Sequence, residues 1–214
     1  MEQNRASVGM FHRKLIAKAP STARTSPSAR GGSRETWMQA SSYDVYGNKL
    51  FAKEGGLRYD LFTGEKTPSH PLDRLTIGQV MSLQKQRKDT AAGAYQFTLD
   101  TLKDTMKAAG LKETDMFDAR NQYRLFETFT RENEKHAERK LGMSRLNDAE
   151  RYSMHFLGRF GGEDFLRKLK ESPNTNFAKA FPQAYARNID LFKKIGGSNA
   201  TIRDVFGELA NRMK

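Results

Sequence analysis

The apolar positions of the chain recur mostly at helical spacing. Thr76 is placed to cap a helix carrying Ile77, Val80, Met81 and Gln84, running to Gln86. Residues 94–109 set Phe97, Leu102, Met106 and Ala109 on one side, and Gly110 stands where a C-terminal cap belongs. From Asp118 to about Lys140 a long polar helix is expected to bury Tyr123, Phe126 and Phe129. The run Asn147-Asp148-Ala149-Glu150 resembles a capping box, opening a helix through Tyr152, Phe156 and Leu157 that Gly161-Gly162 should break. A further helix fits 163–170, and shorter ones fit 176–186, limited by Pro182, and 188–194. Thr201 caps a last helix with Ile202, Val205, Phe206, Leu209 and Met213 together.

Residues 56–70 break this pattern. Gly56 to Gly64 alternates and then runs into turn residues and Pro68, which predicts a β-hairpin or small three-stranded sheet. It follows a helix expected over Tyr46 to Glu54, which Gly55-Gly56 would end abruptly. The expected fold class is therefore α+β, mostly helical, with one small sheet after the first helix.

Residues 18–36 are rich in Ser, Pro, Gly and Arg and lack apolar periodicity, so they cannot bury enough surface to offset their ordering entropy. The expected division is a basic, flexible segment over 1–45 and a folded unit over 46–214. Within the first segment, residues 8–16 could lie as a short amphipathic helix on a membrane or a protein shell. A continuous apolar core and a small-residue cleavage site are missing there, so it does not read as a signal peptide.

The formal charge is +12 over 214 residues. A balance this basic suits a polyanionic partner: nucleic acid, an anionic membrane surface or an acidic cell wall. Cysteine is absent, which excludes a thiol nucleophile, a disulfide framework and thiolate metal ligands. The four histidines, at 12, 70, 136 and 155, have no metal-ligand spacing among them, and no Gly-x-Ser-x-Gly occurs. His155 falls on the apolar side of its helix and reads as a hydrogen-bonded core residue. No cofactor and no metal are expected, and nothing demands more than a monomer.

Two constellations could carry chemistry. Glu54 falls in the last turn of its helix, where the macrodipole disfavours a carboxylate and raises its pKa, as a general acid requires. On spacing alone the plainer reading, a surface residue before a turn, stands ahead. The second constellation is 90–97, a small-residue turn bringing backbone, Tyr95 and the Gln96 amide towards a cleft where they could meet sugar hydroxyls and N-acetyl groups. It reads equally as an ordinary helix start.

Taken in order, three separated segments carry a resemblance. Glu-Gly-Gly-x-x-Tyr-Asp-x-x-x-Gly at 54–64, then 75–80 with Ala92-Gly93-Ala94-Tyr95-Gln96-Phe97, then 152–158 with 181–188 and 201–205, resemble phage muramidases and lytic transglycosylases of the lysozyme superfamily. The resemblance covers about 46–214. Among phage enzymes of this size, the muralytic proteins of enveloped double-stranded RNA phages are one kind to consider. The family implies a lysozyme-like fold and cleavage of the MurNAc–GlcNAc bond of bacterial peptidoglycan. It also implies Glu54 as catalytic acid, with Tyr59, Gly93, Tyr95, Gln96 and Tyr152 binding substrate. Carriage in a phage virion would follow, with action on the host wall in the periplasm and the basic segment docking to a virion shell, membrane surface or nucleic acid.

A glycosidase using two carboxylates needs a partner for Glu54. Asp60 and Glu65 on the expected hairpin are the candidates, and Asp44 precedes the helix. Lytic transglycosylases, as the resemblance implies, work with one Glu, and that mechanism is slightly favoured. Two other functions remain: an endopeptidase cutting the peptide cross-links, and a non-catalytic basic virion protein.

Overall fold

The structure is a computed structural model and describes residues 43–54, 58–87 and 90–214. The expected 1–45 segment lies almost wholly outside the described residues. What is described is mostly helical. The first helix, α1 (Asp44–Glu54), starts two residues earlier than the pattern suggested and ends at Glu54 as expected. It buries Tyr46, Leu50 and Phe51. Next come a single 3-10 turn (Leu72–Arg74), α2 (Ile77–Gln86) and α3 (Leu99–Ala108). The long α4 (Ala119–Leu141) and α5 (Asp148–Glu171) pack on each other, and α5 also carries α9 (Ile202–Arg212). Between them lie three short helices, α6 (Phe177–Ala180), α7 (Pro182–Arg187) and α8 (Ile189–Phe192).

The helix starts read at Thr76, Asn147 and Thr201 hold because each side-chain cap satisfies backbone N–H groups that the first turn leaves open. Thr76 with Gln79, Asn147 with Glu150, and Thr201 with Asp204 each form the reciprocal capping box, and Asp118 accepts from Asn121 N at the start of α4. A cap of this kind is worth about 1 kcal/mol.

The expected sheet is absent from the described residues. Their β pairing amounts to isolated bridges, among them Phe62 with Ala92 and Ala92 with Phe97. From Arg58 onward the segment closes a turn between Phe62 and Glu65 and bonds Leu72 N to Asp60 O at 3.1 Å, but among the described residues it builds no hairpin ladder. Its backbone instead pairs with residues far along the chain: Thr63 N donates to Ala91 O at 2.9 Å and Gly93 N to Leu61 O at 2.9 Å. A local alternating pattern cannot distinguish a hairpin from this non-local pairing.

Three further boundaries move. α3 begins at Leu99 rather than 94, because residues 92–97 close a tight turn in which Ala92 and Phe97 exchange both hydrogen bonds at 2.9 Å. Gly161-Gly162 does not break α5. The break is at Gly158, whose φ of 71° and ψ of 172° join two helical halves. Gly162 instead permits the halves to meet, since a Cβ there would lie 2.7 Å from Met154 Cα. Pro182 starts a helix at its first position, where its missing N–H costs nothing.

One hydrophobic core runs through these elements. Its centre is aromatic: Tyr95 stacks on Phe126 at 4.5 Å between centroids, with Tyr46 at 5.6 Å from the same ring. A second group of rings, Phe165, Phe177, Phe181 and Phe192, fills the space between α5 and the short helices.

Candidate functional site

α1 is held in the core by Tyr46, Leu50 and Phe51, and its last residue is Glu54. Residues 55–57 and the Glu54 side chain lie outside what is described. The chain returns at Arg58, and Tyr59 lays its ring on Phe51 at 4.7 Å. Phe51 sits about one turn before Glu54 and also meets Tyr95 at 6.1 Å. Folding thus brings the end of α1, Tyr59 and the 91–97 turn together.

Gln122 of α4 ties this cluster. Its fully buried amide donates to Tyr59 O at 2.9 Å and Phe117 O at 2.7 Å, and accepts from Ala94 N at 2.8 Å. Gly93, at a φ of 73°, is required beneath it: a Cβ there would run into Gln122 Oε1 and come within 2.8 Å of the Phe117 ring. Nothing in the sequence marks Gln122, which stands as one polar residue on a polar helix.

The residues expected to bind substrate are placed differently from one another. Tyr59 is half-buried and flanks the end of α1. Tyr95 is only 1% exposed and serves the aromatic core. Gln96 is buried, with its amide donating to Gly93 O at 2.7 Å and its oxygen accepting from the Thr63 hydroxyl. Gly93 is buried under the same turn. The hydrogen-bonding groups of this turn therefore fix the fold beneath the end of α1. Tyr152 does not join the cluster. It is buried in α5 beside the rings of His155 and Phe156, and shares a hydrogen bond with Arg212. His155 is likewise buried, edge-on to Phe129 at 5.7 Å.

Both candidate second carboxylates are engaged. Asp60 receives the Arg58 guanidinium in a fork at 2.7 and 2.5 Å. That hydrogen bonding holds its carboxyl below the usual carboxylate range, against the opposing effect of burial. Glu65 accepts from Arg87 at 2.5 Å, Ser69 at 3.2 Å and Phe62 N at 3.2 Å, which closes the turn after Phe62. Asp44 starts α1 and accepts the Tyr123 hydroxyl. A carboxylate that the sequence did not single out, Asp73 in the 3-10 turn, has a buried Oδ1 with no hydrogen-bond partner among the described residues. Burial, then the neighbouring Asp60, push its carboxyl above the usual range. Nothing in its sequence surroundings marks it, because Pro71 to Arg74 reads as a loop.

Among the described residues no cluster of three or more His, Asp or Glu could hold a metal ion, and no helix is long and apolar enough to cross a membrane. Comparison with known proteins finds no matching family model, no matching curated protein and no matching solved structure.

Proposed function

We propose that this chain cleaves the glycan strands of bacterial peptidoglycan at the MurNAc–GlcNAc bond, as a phage-borne lysozyme-like enzyme with Glu54 as its catalytic acid. The observation that carries this reading is the position of Glu54 as the last residue of a helix whose preceding turn packs against Tyr59 of the returning chain. The macrodipole at a helix C-terminus favours the protonated carboxyl, which can then donate to the glycosidic oxygen. The ordered sequence segments at 54–64, 75–97 and 152–205 support the same reading, and the +12 charge suits an acidic wall.

The engagement of Asp60 with Arg58 and of Glu65 with Arg87 favours a mechanism with a single Glu. Glu54 protonates the leaving oxygen as the bond to the MurNAc anomeric carbon breaks. The resulting carboxylate takes the proton of the sugar's C6 hydroxyl while that oxygen bonds to the same carbon, closing a 1,6-anhydro ring and restoring the acid. Within this proposal the basic segment before residue 46 docks the enzyme to a shell, a membrane surface or nucleic acid inside the particle, and the wall is met in the host periplasm.

The test is mass spectrometry of muropeptides released from Gram-negative sacculi by the wild type and Glu54→Gln. The amide keeps the shape but has no acid proton, so turnover should fall at least ~100-fold. Anhydro-muramic ends lost in the variant support transglycosylation, and reducing ends lost in the variant support hydrolysis with a second carboxylate. Peptide cuts with intact glycan, or undiminished activity of the variant, refute the role of Glu54.

A further inference from the structure

The break in α5 is followed by two side chains, Arg159 and Phe160, that line one cavity. Gly158 adopts a backbone conformation open almost only to glycine, of the kind that persists where the surroundings impose it and that gathers at functional sites. Two residues on, Phe160 stands 51% exposed, with its ring edge-on to that of His136 at 5.4 Å. Arg159 lines a cavity of about 290 Å³ between α3, α4 and α5. Its Nε is buried without a hydrogen-bond partner among the described residues. Asp104 and Glu132 line the same cavity, yet among the described residues no ion pair joins either to Arg159. Glu132 instead takes the exposed Lys135 at 3.1 Å.

A guanidinium and two carboxylates kept apart around one concavity form the complement of a zwitterion. A ligand carboxylate fits the planar fork of Arg159. A ligand ammonium would meet Asp104 and Glu132 on the same lining, with Thr105 and Thr128 beside them as hydroxyl side chains and Phe129 as an apolar wall. The volume, at the lower end for ligand sites, admits one or two amino-acid units.

We propose that this cavity binds the zwitterionic end of an amino acid or short peptide. Resting on the glycan-cleaving function proposed above, its source is the stem peptide of the wall, which carries free ammonium and carboxylate groups beside the strand being cut. Binding there would hold the enzyme on its polymer substrate through a second contact, apart from Glu54.

The test is titration of the full chain, followed by amide NMR, with two probes that contain no glycan. One is meso-diaminopimelic acid alone; the other is the tetrapeptide L-Ala-γ-D-Glu-meso-diaminopimelate-D-Ala. Saturable shifts at Asp104, Arg159 and Phe160 are expected, and Arg159→Gln should weaken binding about tenfold or more. Asp104→Asn combined with Glu132→Gln should weaken it from the ammonium side. Phe160→Ala, at an exposed position, keeps the test open if an Arg159 variant fails to fold. Preference for the tetrapeptide supports the wall stem, and equal binding of both probes supports a free amino acid of the same chemistry. No saturable shift with either probe, or unchanged affinity in the charge variants, overturns the site. If the peptide binds while sacculi release no glycan products, only the catalytic proposal falls.

Discussion

The clearest structural dependence on a single side chain is at Gln122, and Gln122→Leu measures it. The substitution keeps approximate size and helix propensity, so the change is confined to the amide. It leaves Tyr59 O, Phe117 O and Ala94 N without the partners they have at 2.9, 2.7 and 2.8 Å. Each buried group left unsatisfied costs about 1–3 kcal/mol. Three together would reach ~3–9 kcal/mol, and local relaxation at Tyr59, the least buried of the three, brings the expected loss to roughly 3–5 kcal/mol. That is a large share of the ~5–15 kcal/mol that stabilises a typical domain. Urea unfolding followed by circular dichroism reads the loss directly. Hydrogen exchange should show Ala94 losing protection before the middle of α4 does. Under the proposed glycan cleavage, activity on sacculi should fall at temperatures where the variant is still folded, because Tyr59 and the 91–97 turn lose their common anchor against Phe51 of α1. A stability loss below about 1 kcal/mol with an unchanged denaturant slope would refute the assignment of Gln122 as that anchor.

Two further outcomes follow from the same contacts. Asp73→Asn should stabilise the protein at neutral pH. The raised carboxyl value means that ionisation costs folding stability above the folded pKa, a cost that disappears once both states are protonated below the usual carboxylate range; the gain should therefore vanish in thermal melts as pH falls towards 3. Equal effects at pH 3 and pH 7 would contradict it. Gly158→Ala should cost about 1–3 kcal/mol because alanine is strained at that conformation, lowering the melting temperature by ~2–4 °C per kcal/mol for a unit of this size; an unchanged melting point would mean that the kink is not imposed by the packing of the two halves.

The sequence by itself determined the elements whose signals are local. The caps at Thr76, Asn147 and Thr201 are visible as side chains spaced to meet open N–H groups, and the structure starts helices after each. The end of α1 at Glu54 was legible for the same reason, since Gly55-Gly56 follows directly. Tertiary structure decided whatever depends on partners distant in sequence. Leu61 to Thr63 alternate like a hairpin strand but pair with 91–93, some thirty residues away. Tyr95 and Gln96 carry groups suited to sugars, yet stacking on Phe126 and bonding to Thr63 and Gly93 draw them into the interior. The break in α5 fell at Gly158 rather than at the glycine pair, because the close approach of Met154 to Gly162 is created only when the two halves fold together. A polar residue such as Gln122 has no periodicity to reveal it: its role arises from three backbone groups that meet only in the folded chain.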